Sequence, residues 1–407
     1  MGVSLVELRI AVLFIISVAL LFLTVDLRLL RGSHFLTNHN TVDTKKLARR
    51  GFLSPFFILY SSEEDDNAGI SAVNSVEEFG APSLTDAPFA ADSDTPDITM
   101  TVHLTYNRIM CLSQLLQMWK GPSIAVVYLF RHELPAFRRD LFKEHLPHYQ
   151  RIIPYISRDS DRYPINELRN IAIQQVKTTH FFSSDIDVWP SSHLYENLLL
   201  LPKTRLLQEN LAVVIPVFML HVRVEKPMYN DCKGTLVAYT PRDSVSLQNT
   251  IRFSSVSPYQ RFNATVSYIP SEWLMGVQDR PQNDTTKKDN GMLLDIPCLK
   301  SARELLYVVV RRTANTPLFD TRFSNYGFNR QEWIQHLRYA GYEFRVFQHG
   351  FGVEIFHPMS PHYMHFVEEM EQAKESGTKH QNEVLFDEHM ESLKEQSKKV
   401  LYNECTL

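Results

Sequence analysis

Two aspartates one residue apart, Asp185 and Asp187, close a short apolar run, His180-Phe181-Phe182. In an extended chain, residues two apart point to the same side. The pair therefore aims two carboxylates at one spot just past a strand's end, where ligands sit in open α/β sheets. Carboxylates that converge repel each other unless a cation lies between them. A hard divalent ion, Mg²⁺ or Mn²⁺, suits oxygen ligands and keeps positions open for phosphates. The bland alternative is a solvated acidic turn. Placement after an apolar strand and before Trp189-Pro190 puts a site on level terms with that turn.

The segment that leads into this strand reads as a helix. Leu168, Ile171, Ala172 and Val176 recur near helical spacing from Asn166 to Val176, and Thr178-Thr179 break the pattern. Upstream, strand and helix alternate. Ile98 to Leu104 is a strand, and Arg108 to Trp119 a helix stopped by Gly121-Pro122. Ser123 to Phe130 is a strand, Ala136 to Glu144 a polar helix, and Arg151 to Ile156 a further strand. Such alternation implies crossover units and a mostly parallel sheet. Thr105 and Arg108, just after the first strand, are nucleotide contacts by position.

Downstream, Leu211 to Val217 is the next apolar strand, and Arg223 to Asp295 is irregular, as an acceptor side would be. Leu305 to Val310 returns to strand type, and a helix from Gln331 to Ala340 has Gly341 to cap it. Tyr342 to Phe347 and Gly352 to Phe356 read as strands, the second running into His357-Pro358. A charged tail from Met364 to Leu401 has helical spacing.

The chain has 407 residues, enough for two domains or one large one with appendages. At 44% hydrophobic and 22% charged it can build a sizeable core, and a net charge of −4 argues against a general nucleic-acid binder. Cys111, Cys232, Cys298 and Cys405 form no C-x-x-C pair, which argues against a zinc knuckle. Their pairing is open, and Cys111, on an apolar helix, also reads as a free buried thiol.

Ile10 to Val25 carries no charge, and Leu8 and Leu27 to Leu30 extend it toward the ~20 residues a spanning helix needs. A cleaved signal peptide and a signal anchor are the alternatives. No A-x-A-like site follows and Asp26 and Arg28 come at once, which favours an uncleaved anchor. Downstream Lys and Arg residues run against that orientation, a signal that large translocated domains override. The sequons at Asn263 and Asn283 fit a lumenal body. Ser61 to Thr95 has acidic linker composition. The expected order is a cytoplasmic tail and anchor over residues 1–31, a flexible stem over 32–96 and a catalytic body over 97–407. Within the body, 97–200 would form a nucleotide and metal half, 201–360 an acceptor half and 361–407 a helical tail.

YPINELRNIA, FFSSDIDVWPS, VVIPVF, GTLVAY, YVVVRR, FDTRFSNYGFNR and GYEFRVF stand here in an order that resembles glycosyltransferase family 49. That family holds a beta-1,4-glucuronyltransferase and the C-terminal domain of the LARGE xylosyl-/glucuronyltransferases. The likeness covers nearly the whole body, and FDTRFSNYGFNR looks closer to the glucuronyltransferase branch. The resemblance implies a GT-A fold within the α/β class, a UDP-sugar donor, Mn²⁺ or Mg²⁺, and inverting transfer. Glucuronic acid is the foremost sugar, with xylose or N-acetylglucosamine as alternatives. The acceptor would be a glycan or glycoprotein, xylose-terminated as in O-mannosyl glycan synthesis. It also implies a Golgi, single-pass type II protein; a homo- or hetero-oligomer with other Golgi transferases is compatible with it, and the oligomeric state stays open.

The metal ligands so implied are Asp185, Asp187 and His357, with His362 as fallback, although FHPMSPH departs from the family's pattern after His357. Asn166 and Arg169 resemble donor-side residues; the alternative for Arg169 is a surface ion pair with Glu167 or Asp161. Inversion needs a base for the acceptor hydroxyl. Glu304, before YVVVRR, and Asp320 are the candidates, and Asp320 also suits a cap on the turn before Arg322. A glucuronate carboxylate needs a cation, and Arg169, Arg311, Arg312 and Arg330 all qualify by type.

Two other readings compete. The D-x-D also fits the head of haloacid-dehalogenase-type phosphatases, but those place it on an early strand and need a later acidic pair. A non-enzymatic lumenal glycan-binding protein of the same fold is the other. Retention of both aspartates stands against it.

Overall fold

The sheet that carries the D-x-D segment is wound outward from one strand in both directions. A computed structural model describes residues 60–61, 95–143, 150–158, 161–221, 235–258, 260–261, 264–265, 269–277, 288–299, 301–355, 357 and 360–396. The apolar run at residues 10–25, the asparagines of both sequons and most of the expected stem lie outside them. Among the described residues no helix is long and apolar enough to cross a membrane.

Strand β1 is Tyr60–Ser61, and β2 is Ile98–Thr105. Helix α1 (Ile109–Met118) leads to β3 (Ser123–Phe130), α2 (Leu134–Lys143) to β4 (Gln150–Ser157), and α3 (Ile165–Gln174) to β5 (His180–Ser183). β2 and β3 are buried along nearly their whole length. Near-continuous burial is what crossover helices impose on a parallel sheet, and it explains runs such as IAVVYL. Beyond β5 come β6 (Val188–Pro190), β7 (Leu211–Ile215) and β8 (Val217–Leu220). The single apolar run at Leu211 to Val217 is thus two strands. Pro216 has no N–H to donate to a ladder, and the chain changes sheets there.

The irregular stretch holds helix α4 (Ser244–Arg252), capped by Asp243, then β9 (Val256–Pro258) and the hairpin of β10 (Gln260–Arg261) with β11 (Ala264–Thr265). The chain returns through β12 (Leu293–Asp295) and β13 (Tyr307–Arg311) to α5 (Gln331–Tyr339). Gly341 follows α5 at φ +83, the left-handed geometry that ends a helix. After β14 (Glu343–Phe347) and β15 (Gly352–Glu354), the tail forms α6 (Pro361–Glu375) and α7 (Gln381–Gln396), two helices parted at Gly377 (φ +68). Phe386, Met390 and Leu393 of α7 close a small second core around Phe323.

The large sheet has nine strands in the order β1-β4-β3-β2-β5-β13-β7-β14-β12. β1 through β5 pair in parallel, and β13 enters antiparallel between β5 and β7. The sheet is therefore mixed, with a parallel half where the alternation was read. The second sheet runs β6-β15-β8-β9. All these elements lie within one compact unit, residues 55–407. Cys111 and Cys298 are both disulfide-bonded, so the free-thiol reading of Cys111 is corrected.

Candidate active site

From β2 the chain winds through β3 and β4 on one side, then returns to place β5 on the other. The gap between the carboxyl ends of β2 and β5 is a topological switch point, where open α/β sheets bind ligands. β2 delivers His103 and then Arg108, and β5 delivers Asp185 and Asp187. β13 runs the opposite way, so its first residue, Tyr307, reaches the same end. Its last residues do not. Arg311 pairs in register with His180, at the start of β5, and donates to the Leu207 carbonyl. Arg312 donates to the carbonyls of Val176 and Gln174. Both are excluded from the site by strand direction.

The D-x-D is not extended. Val188 N–H donates to the Asp185 carbonyl at 3.0 Å, so residues 185–188 form a tight turn, and the two carboxylates part. Asp185 points among donors. Its Oδ1 accepts from Arg330 Nη2 at 2.7 Å, Arg169 Nη2 at 3.2 Å and His103 Nε2 at 3.2 Å, and its Oδ2 accepts from the Tyr307 hydroxyl at 2.8 Å. Three donors thus crowd Oδ1 and one meets Oδ2. Burial alone would raise the Asp185 carboxyl, but Arg330 and Arg169 outweigh it and hold it well below the usual carboxylate range. Two guanidinium charges also repel any incoming cation. Asp185 thus sits among donors, and the turn, not an extended strand, sets the aim of the two carboxylates, which corrects the geometry expected from alternation.

Its two arginines are themselves pinned. Arg330 is 1% exposed, donates to the Ser183 carbonyl at 2.8 Å and lies 4.3 Å over the Tyr307 ring. Arg169 is 4% exposed and is held by Asn166 Oδ1 and Asn329 Oδ1, each at 3.0 Å. Burial, then the neighbouring Arg330, pulls Arg169 down to about 10. Arg169 is neither a surface ion pair nor a free anion hook; Glu167 instead accepts from the Tyr155 hydroxyl. Asn166 is fully buried and pins α3 to Glu332 and to the Asp320 carbonyl.

Behind Asp185 a relay of ring groups continues. Burial lowers the pKa of His103, so its ring is neutral, and facing an ionised Asp185 its Nε2 must carry the proton. Nδ1 then accepts from the Tyr163 hydroxyl at 2.9 Å. His362, the fallback ligand, stacks on the Tyr163 ring at 5.9 Å, on the far side of this relay.

Asp187 faces the other way. Its Oδ2 lies 3.2 Å from His357 Nε2, and its Oδ1 accepts from Arg108 Nη2. The second sheet makes this meeting. β15 pairs antiparallel with β6, Glu354 opposite Val188, and Ile355 N–H donates to the Asp187 carbonyl at 2.9 Å. That ladder carries His357 to the turn. Glu354 Oε1 is 3.8 Å from the same His357 nitrogen. Two ligands at right angles on an ion with bonds of about 2.1 Å sit about 3 Å apart, so the Asp187–His357 spacing fits one hard divalent ion. Among the described residues no group of three or more His, Cys, Asp or Glu side chains is arranged to hold a metal. The pair would form an open site, completed by water or ligand oxygens.

Glu304 is 1% exposed, inside the protein. Asp320 caps Arg322 N–H at 3.0 Å and pairs with the Arg322 guanidinium at 2.6 Å; Arg322 and His389 hold its carboxyl well below the ordinary range against the opposing effect of burial. Thr105 donates to Asn107 at 2.5 Å, beside the Arg108 turn. Sequence reasoning passed over His103, Tyr307 and Glu354. His103 carried a signal, a titratable residue near the carboxyl end of an apolar strand.

A family model described as glycosyl-transferase for dystroglycan matches residues 138–390. The xylosyl- and glucuronyltransferase LARGE2 of Rattus norvegicus is 28% identical over 276 residues, 65% of this chain and 35% of that protein. LARGE1 of Homo sapiens is 24% identical over 276 residues, 66% of this chain and 32% of that one. This chain thus spans about a third of the length of these relatives. A crystal structure of GalNAc-T7 with UDP, GalNAc and Mn²⁺ aligns loosely, at a TM-score of 0.38 and 11% identity over 85% of this chain and 67% of that one. With the matched region covering β4, β5, the D-x-D turn, β13 and β15, the chain belongs to glycosyltransferase family 49, the family of glycosyl-transferases for dystroglycan.

Proposed function

We propose that this protein is a metal-dependent, inverting glycosyltransferase of GT-A type that moves a sugar, foremost glucuronic acid, from a UDP-sugar to a glycan acceptor. One observation carries the reading: a carboxylate and an imidazole 3.2 Å apart at the switch point of a family 49 fold, beside an arginine on the rim. A divalent ion held there, Mn²⁺ foremost, would offset the charge that builds on a departing diphosphate. The chain's own part is positional. Asp187 and His357 would hold the ion, and Arg108, at the head of α1, faces the space the diphosphate would take. Asp185, locked by Arg169 and Arg330, fixes the turn so that Asp187 keeps its aim. The relatives' names carry xylosyl as well as glucuronyl transfer, which makes xylose the second donor to test.

The disulfide-bonded Cys111 and Cys298 support an oxidising compartment, in keeping with a Golgi-lumenal body on a type II anchor. The test is release of UDP from a series of UDP-sugars by purified protein, with and without Mn²⁺. Turnover of one UDP-sugar that needs Mn²⁺ and falls at least a hundredfold in Asp187→Asn supports the reading. Failure to split any UDP-sugar, or full turnover in that variant, overturns it.

A further inference from the structure

We infer that Asn382, on the C-terminal helix α7, is a positioning residue for the candidate active site: it holds the backbone of residues 324–327 in a strained form from which Asn329 and Arg330 fix the turn after β5. What that turn does rests on the proposed transferase reading; the coupling between tail and turn does not.

Three observations carry it. First, the segment that reaches the turn is strained. Asn325, Gly327 and Phe328 stand at positive φ, at 56°, 96° and 58°. A bulky side chain such as Phe is rarely found there, and such strain persists only where the surroundings over-determine it. Second, the surroundings here are the tail. Asn382 is 7% exposed, and its Nδ2 donates to the carbonyls of Tyr326 at 2.7 Å, Ser324 at 3.1 Å and Gly327 at 3.3 Å. Its own N–H donates to His380 Nδ1 at 3.1 Å, which fixes the start of α7. Phe386 of α7 stacks on Phe328 at 5.0 Å, and a Cβ on Gly327 would meet the Phe366 ring of α6 at 2.7 Å. Third, the same segment grips the site from behind. Asn325 and Tyr163 exchange two hydrogen bonds, at 2.8 and 2.7 Å. Asn329 Oδ1 accepts from Arg169 at 3.0 Å, and Arg330 donates to the Ser183 carbonyl at 2.8 Å and to Asp185 at 2.7 Å. A segment released by Asn382 can relax toward ordinary φ, and each of those contacts then shifts.

A tail that only added stability would loosen the protein without singling out the turn. Positioning by Asn382 requires that the loss of one amide be felt at residues 185–188. The experiment is hydrogen–deuterium exchange, read by mass spectrometry, on the full-length protein without ligand and well below every melting transition. The chains compared are wild type, Asn382→Ala, Phe386→Leu and Val346→Ala. Val346 is fully buried in β14, separated from β5 by β13 and β7, so Val346→Ala costs stability away from the strained segment. The kcat/KM for a UDP-sugar that wild type turns over with Mn²⁺ is measured alongside.

The expected result for Asn382→Ala is exchange about tenfold faster or more in the peptides that carry the Asn325 and Val188 amides, with β3 unchanged, and kcat/KM lower by about tenfold or more. Phe386→Leu gives a smaller rise in the same two peptides. Val346→Ala leaves both peptides and kcat/KM within about twofold of wild type. A Val188 peptide unchanged in Asn382→Ala, or quickened equally in Val346→Ala, overturns the inference. A wild type that turns over no UDP-sugar overturns the proposed function alone, because exchange still reads the coupling. If Asn382→Ala does not fold, Phe386→Leu decides: a Val188 peptide that exchanges as in wild type rejects the positioning role.

Discussion

Replacing Asp185 with asparagine separates a carboxylate that holds the fold from one that serves the ligand. Asp185 balances two arginines that are almost wholly buried, with N···O distances of 2.7 and 3.2 Å. At an effective dielectric near 20, each such pair is worth about 4 kcal/mol of gross Coulomb attraction. The shape and one acceptor oxygen survive in asparagine, and Asp185 itself keeps 24% exposure, so part of that is recovered by solvent and by the Tyr307 hydroxyl. Stripping one partner from a buried pair costs about 3–5 kcal/mol, and the low end applies here. For a body of this size, about 3 kcal/mol lowers the melting temperature by roughly 5 °C. Asp187→Asn is the control. Its arginine keeps 19% exposure, against 1% and 4% for the two that Asp185 holds, so the change costs less, about 1–2 kcal/mol, and moves melting by about 2–3 °C. The assay is thermal melting of both purified variants beside wild type, followed by circular dichroism. Equal melting temperatures for the two variants, or an Asp185→Asn protein within 2 °C of wild type, would refute the division of labour.

Three further outcomes are expected. A Cβ on Gly352 would meet Val188 Cγ1 at 2.8 Å and Val217 Cγ2 at 3.3 Å. Gly352→Ala should therefore cost about 1–3 kcal/mol and push β15 off β6, carrying His357 from Asp187; weakened Mn²⁺ binding checks this, and wild-type metal affinity would count against it. Burial pulls His180 down to about 4, from 6.5, while its Nε2 donates to the Leu206 carbonyl at 2.7 Å. A folded pKa below the unfolded one means that this stabilisation is fully present above pH 6.5 and is lost as pH falls toward 4, at about 1.4 kcal/mol per pH unit. Denaturant midpoints between pH 7 and 4.5 should fall less steeply in His180→Gln than in wild type. Arg311→Ala and Arg312→Ala, at the far end of β13, should leave the KM for a UDP-sugar within about twofold; a larger rise in either would show that strand direction had misplaced them.

What could be read from the chain was local. The 3.6-residue rhythm of α3, the apolar run of β5 and the Gly341 stop each follow from residues within a few positions, and each formed as expected. The switch point itself was reached only in part, because alternation shows crossovers but not the side on which each new strand adds. Asp185 shows the limit well. Its partners stand 16, 82, 122 and 145 residues away in sequence, brought together by strand order and by the reversed β13. No periodicity encodes such contacts. Alternation also misjudged the D-x-D, because it assumes an extended backbone and the chain turns there. Pro216 carried a usable signal, since a proline inside an apolar run argues against one continuous central strand. Asp320 was legible as a cap from its spacing to Arg322, and the structure shows that role.

The most direct measurement is calorimetric binding of UDP to the purified protein at graded Mn²⁺ concentrations, for wild type, Asp187→Asn and His357→Ala. The expected result is UDP binding that rises with Mn²⁺ in wild type and is lost in both variants while both stay folded. UDP binding indifferent to Mn²⁺, or retained when Asp187 and His357 are replaced, would contradict a cation gripped between them.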